Sequence, residues 1–160
     1  ESYALFKQMD VMNEVELKAH KEVELGAYIF HIQIEGRILG EMVYNHIIPA
    51  AVKYQNMLLE NIQGLKDVYG AAHKKTAEVQ LNILEQIGEH ISEIKKLTDE
   101  MADARKRANG MSVVDKKAQA YCNNVRLYFD KIREHSDALE KLIADEFWPF
   151  TKYREMLFSK

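Results

Sequence analysis

Six histidines, one cysteine and 25 acidic residues are the groups from which this chain could build chemistry. A di-metal site in a helical bundle needs Glu-x-x-His, because residues i and i+3 project inward together. The residues three before His20, His31, His46, His73, His90 and His135 are Leu17, Tyr28, Val43, Gly70, Ile87 and Ile132. None is a carboxylate. No two histidines stand four apart, the spacing that puts two zinc ligands on one helix face. No phosphate loop or dinucleotide glycine pattern occurs. Cys122 is a nucleophile only on paper: it falls on an apolar helical stripe, which predicts an inert core thiol. His46, beside Asn45 and just before Pro49, reads either as a ligand or acid–base group, or as a helix-end histidine capping carbonyls that the proline frees. Arg105, Lys106 and Arg107 suit a helix C-terminus, and could alternatively touch an anionic partner.

The elements that must position these groups are long. Only 7 glycines and 2 prolines occur in 160 residues, too few for a barrel or sandwich with its many turns. The apolar share is 47% and the charged share 29%, an ordinary globular balance. The length predicts a single domain, residues 1–160. A net charge of −3 gives no reason to expect nucleic acid as a partner. The longest apolar stretch, Ile47 to Val52, is far short of the ~20 residues that span a bilayer, so no membrane is expected. A single cysteine makes no intrachain disulfide and fits a reducing compartment. The chain begins at Glu1 without an initiator methionine, which predicts a piece of something longer.

Helical periodicity organises most of the chain. Glu1 to Met12 show no clean period. Asn13 predicts an N-cap, with Glu16 placed to close a capping box. Val23, Phe30, Ile34, Ile38, Met42 and Val43, bridged by Ala27, predict one buried face. Alternation over Tyr28 to Ile34 fits a strand, but the 3–4 spacing runs on through Met42 and favours helix. Pro49 predicts a kink or a new start. The pattern resumes with Val52, Tyr54, Leu58, Ile62 and Leu65 and stops at Gly70, a C′ glycine. A second helix is expected from about Ala72 to Ala108, ~55 Å long. Its stripe is Ala77, Leu81, Leu84, Ile87, Ile91, Ile94, Thr98, Met101, Arg105 and Ala108, with Leu84 and Ile91 in the shared core. Asn109-Gly110 ends it. Ser112, with Asp115 as partner, predicts the start of a third helix. Ala118, Cys122, Val125, Phe129, Ile132, Ser136, Leu139, Ile143 and Phe147 form its stripe, and Trp148-Pro149 breaks it. Phe150 to Phe158 can add a last turn or two. The expected fold is all-α: an elongated antiparallel bundle of three to five helices, the long first one kinked or broken at Pro49. Gly36 and Gly40 could allow a close helix contact. Trp148, Phe150, Tyr153 and Phe158 either anchor the tail on its own bundle or mark a subunit contact.

Two blocks carry a family resemblance. The first is Ile32-Gln33-Ile34-Glu35-Gly36-Arg37-Ile38-Leu39-Gly40, followed by Asn45-His46-Ile47-Ile48-Pro49-Ala50-Ala51-Val52-Lys53-Tyr54-Gln55-Asn56 and Leu59 to Lys66. The second is Trp148-Pro149-Phe150-Thr151-Lys152-Tyr153-Arg154-Glu155-Met156-Leu157-Phe158. Together they resemble the C-terminal region of type III glutamine synthetases, with Gly36 standing where Ala or Ser is expected. The resemblance implies a parent ligase that joins ammonia to glutamate with ATP and Mg or Mn. It implies hexameric rings stacked as a dodecamer in the cytoplasm. It places the catalytic ligands upstream, so no catalytic, cofactor or metal residue is assigned here, and this chain alone is expected to be inactive. Asn45, His46, Pro49, Tyr54 and Gln55 carry over as a motif with a structural role. The other reading is a free-standing helical sensor or adaptor that binds a partner helix or small ligand.

Overall fold

The computed structural model describes residues 12–158. The aperiodic reading of Glu1 to Met12 therefore lies, apart from Met12, outside the described residues. Helix α1 spans Glu14–Met42, a π-helical turn spans Val43–Ile47, and α2 spans Ile48–Tyr69. After a 3-10 turn, Gly70–Ala72, come the short α3, His73–Thr76, and the long α4, Glu78–Asn109. Helix α5, Val114–Ala120, passes through a second π turn, Tyr121–Val125, into α6, Leu127–Leu142. A 3-10 turn, Asp145–Phe147, and α7, Tyr153–Phe158, follow.

Local chemistry explains the boundaries. Asn13 Oδ1 accepts from the Val15 and Glu16 amides, and Glu16 accepts from the Asn13 amide at 2.9 Å, the reciprocal capping box. Gly70 ends α2 at φ 56°, where a side chain would be strained. Pro49 has no N–H to give and its ring crowds the preceding turn. The helix absorbs this one turn earlier: the Ile48 amide reaches back five residues to the Val43 carbonyl, and α geometry resumes with Pro49 in the first turn of α2.

Cross-helix contacts fix the topology. Tyr44 meets Asp99, Gln55 meets Leu84, and Asn61 meets Gln80. Rising numbers on one side meet falling numbers on the other, so the α1–α2 run and α4 are antiparallel. Lys21 pairs with Asp115, and Gly36 lies against Phe129. There both numbers rise, so α1 runs parallel to α5–α6. The result is a three-run helical bundle, with no strand among the described residues. Ile29, Ile32, Val43, Ile47, Ile87, Ile94, Met101, Tyr121, Val125, Ile132 and Leu139 fill its centre.

Several expectations are corrected. On α1, Val23, Phe30, Ile34 and Ile38 face outward, and Ile29, Ile32 and Gly36 are buried instead. The helix is apolar on two sides, so periodicity did not say which side meets the core. Leu81 and Val52 are exposed, while Leu84 and Ile91 only border the core. Helix α4 starts at Glu78 rather than near Ala72, because the 70–77 stretch turns the chain. Val113, not Ser112, precedes α5, and no side chain caps it; Asp115 pairs with Lys21 instead. Cys122 is exposed. The π turn at 121–125 shifts the helical register, so Tyr121 turns inward in its place. Helix α6 stops at Leu142, with Ile143 extended at ψ 135°, six residues before Trp148.

Candidate functional site

The two resembling blocks are far apart in sequence and touch in space. The π turn carries Asn45 and His46 outward while burying Val43 and Ile47 on its other side. The His46 ring meets Phe150 edge-on, with centroids 5.6 Å apart. One turn into α2, Tyr54 packs on Phe147 at the same centroid distance of 5.6 Å. Trp148 stands edge-to-face with Phe150 at 6.1 Å and is 8% exposed. Such tilted and edge-on pairs are the favoured aromatic geometries. Gln55 Nε2 donates to the Leu84 carbonyl at 3.4 Å, tying α2 to α4. Of the motif, then, His46, Tyr54 and Gln55 make the contacts, Pro49 starts α2, and Asn45 lies exposed on the rim of a shallow groove of about 300 Å³ with Tyr44 and Arg105. The side chains of Tyr153 and Phe158 lie outside the described residues.

Lys152 anchors the second block. Its side chain is 14% exposed. Nζ donates to the Glu140 carbonyl at 2.9 Å and the Ile143 carbonyl at 3.4 Å, and pairs with Asp145 at 2.6 Å. A cation here satisfies orphan carbonyls at the negative end of α6. The sequence reading did not single Lys152 out, because its partners come from a helix end that sequence placed six residues later.

A charged triad flanks the π turn. Tyr44 donates to Asp99 Oδ1, and Lys95 pairs with Asp99 at 2.8 Å. The Lys95 ammonium, then the Tyr44 hydroxyl, hold the Asp99 carboxyl below its ordinary range. Burial, then the bond to Asp99, pushes the Tyr44 phenol up. Burial likewise raises Tyr121, whose hydroxyl donates to Asn109 Oδ1 at 2.7 Å.

The helices also bring together His90 and His135, whose Nδ1 atoms lie 3.0 Å apart, one donating and one accepting. A search by spacing along one helix could not find this pair. Among the described residues no three His, Cys, Asp or Glu side chains converge as metal ligands. The aromatic contacts hold the C-terminal segment against the π turn and the start of α2.

The described residues form an all-helical bundle whose C-terminal segment is held by an aromatic clamp. Residues 1–66 match the family model described as "Glutamine synthetase C-terminal domain". A glutamine synthetase of Bacteroides fragilis is 43% identical over 151 residues, covering 94% of this chain and 21% of that protein. One from Butyrivibrio fibrisolvens is 26% identical over 99% of this chain and 22% of its own length. A type-3 glutamine synthetase of Dictyostelium discoideum is 23% identical over 98% and 21%. The chain thus spans about a fifth of the curated relatives it matches. It belongs with the C-terminal domains of glutamine synthetases. The adaptor reading finds no support in these likenesses. No helix among the described residues is long and apolar enough to cross a membrane.

Proposed function

We propose that residues 1–160 form one helical domain at the C-terminus of a type III glutamine synthetase, where the domain supports assembly of the enzyme. In this reading the reaction, glutamine formation from glutamate, ammonia and ATP with Mg or Mn, belongs to the rest of the chain. The partners are that catalytic portion and neighbouring subunits, in hexameric rings stacked as a dodecamer, in the cytoplasm. Asn45, His46, Pro49, Tyr54 and Gln55 act structurally, setting the π turn and receiving the tail. Trp148 seats that tail. Phe150, half-buried between Trp148 and His46, presents its remaining surface to a neighbour, with Tyr153 and Phe158 following on α7.

The observation that carries this reading is coverage: 94% of this chain, but only 21% of the Bacteroides fragilis enzyme, is aligned at 43% identity. Replacing Trp148 and Phe150 with polar residues in the full-length enzyme tests it. Sedimentation is expected to show a smaller oligomer, while thermal unfolding of the domain moves less. An oligomer of unchanged size with a badly destabilised domain would reduce these aromatics to the bundle's own packing.

A further inference from the structure

The outer side of α1 is apolar without a partner among the described residues. Val23, Ala27, Phe30, Ile34 and Ile38 follow one another at steps of four, three, four and four, which keeps them on one side of a helix. Val23 is 70% exposed, Phe30 61%, Ile34 38% and Ile38 52%. A Cβ added at Gly26, beside the stripe, would meet nothing within 4 Å. The stripe runs ~23 Å along the axis. Ile29, Ile32 and Gly36, on the opposite side, hold α1 to the bundle. Isolated exposed apolar residues need no explanation, but a continuous row of this kind marks an interaction surface.

We infer that this outer face of α1 docks on the remainder of its own longer glutamine synthetase chain, against an apolar surface with a basic edge. The inference rests on the proposed membership of a longer enzyme. Three observations select this occupant. The relatives are about five times as long as the stretch they share with this chain, so most of such a protein is available to cover the face. The stripe belongs to residues 1–66, the segment that the family model matches, rather than to the later helices. A single helix face also exposes only a few hundred Å², so two copies meeting there would fall below the ~1,200 Å² of a stable interface between separate molecules. A tethered partner needs no such area, because the linker supplies an effective concentration in the mM range. Glu24 and Glu35 flank one side of the stripe and are exposed, which is why the complementary edge is basic.

Photocrosslinking in the full-length enzyme tests this directly. A benzophenone amino acid replaces Phe30 or Ile34, with exposed Glu89 on α4 as the control position. Crosslinks from 30 and 34 to peptides outside these 160 residues, several-fold above those from 89, are expected. Their absence, equal yield at 89, or crosslinks solely to a second copy of α1 would overturn the inference. A Phe30→Asp/Ile34→Asp enzyme separates the two proposals. If the crosslinks form in the parent but this variant still sediments as the full oligomer, the docking face stands and the assembly role falls.

Discussion

The His46 ring abuts Phe150 edge-on, with centroids 5.6 Å apart, and this contact joins the π turn at the middle of the first helical run to the last segment of the chain. Two breaks in helical periodicity thereby cover each other. The π turn presents a ring outward, and the extended segment after α6 brings aromatic surface to meet it.

The clamp should be energetically anchored at Trp148, which is 8% exposed and in contact with Phe150. Trp148→Ala is expected to cost about 3–5 kcal/mol through lost burial and a residual cavity. His46→Ala, at an exposed site, should cost about 1 kcal/mol or less. Urea unfolding of the two variants compares them, and equal costs would refute this ranking.

Lys152 should behave as a structural cation. Lys152→Met keeps most of the aliphatic stem and removes the charge that serves the Glu140 and Ile143 carbonyls and Asp145. A loss of about 1.5–3 kcal/mol is expected, the usual range for hydrogen bonds to a charged group. Hydrogen exchange should show the last turn of α6 and the 3-10 turn opening first. Protection unchanged from the parent protein would contradict this role.

The Tyr44–Asp99–Lys95 triad predicts pH dependence on both sides of neutrality. Asp99 is held below 3.8, so its contribution is present above that value and is lost as pH falls through the folded value. Tyr44 and Tyr121 are raised above 10.0, so their contribution is present below 10.0 and is lost as pH rises through the folded values. Asp99→Asn should flatten the acid limb of a stability–pH curve, and Tyr44→Phe should shrink the alkaline limb. Melting curves from pH 2 to 11 would show it. The exposure of the Lys95–Asp99 pair and its screening by salt make the acid effect small.

Gly36 should tolerate one methyl group and no more. A Cβ there would sit 3.4 Å from Phe129 Cε1 and 3.9 Å from Met101 Sδ, ordinary contact distances. Gly36→Ala is expected to stabilise by about 0.5–1 kcal/mol, because alanine loses less backbone entropy in a helix. Gly36→Leu should destabilise by about 1–3 kcal/mol by overpacking against Phe129. Thermal unfolding of the pair distinguishes these signs.

The sequence by itself determined what local chemistry controls. The Asn13 capping box, the stop at Gly70 and the end of α4 at Asn109 all follow from short-range hydrogen bonding and backbone preference. The core positions Ile87, Ile94, Ile132 and Leu139 also followed, because each lies on a helix with one dominant apolar side. Tertiary structure decided the rest. Helix α1 is apolar on two sides, and only packing against α4, α5 and the second π turn buried Ile32 and left Phe30 outside. A π turn adds one residue to a turn without a sequence period of its own, so burial passed from Cys122 to Tyr121. The clamp of His46 on Phe150 and the His90–His135 pair join residues 104 and 45 positions apart. Contacts at such separations depend on how whole helices are set against one another, which no local pattern encodes.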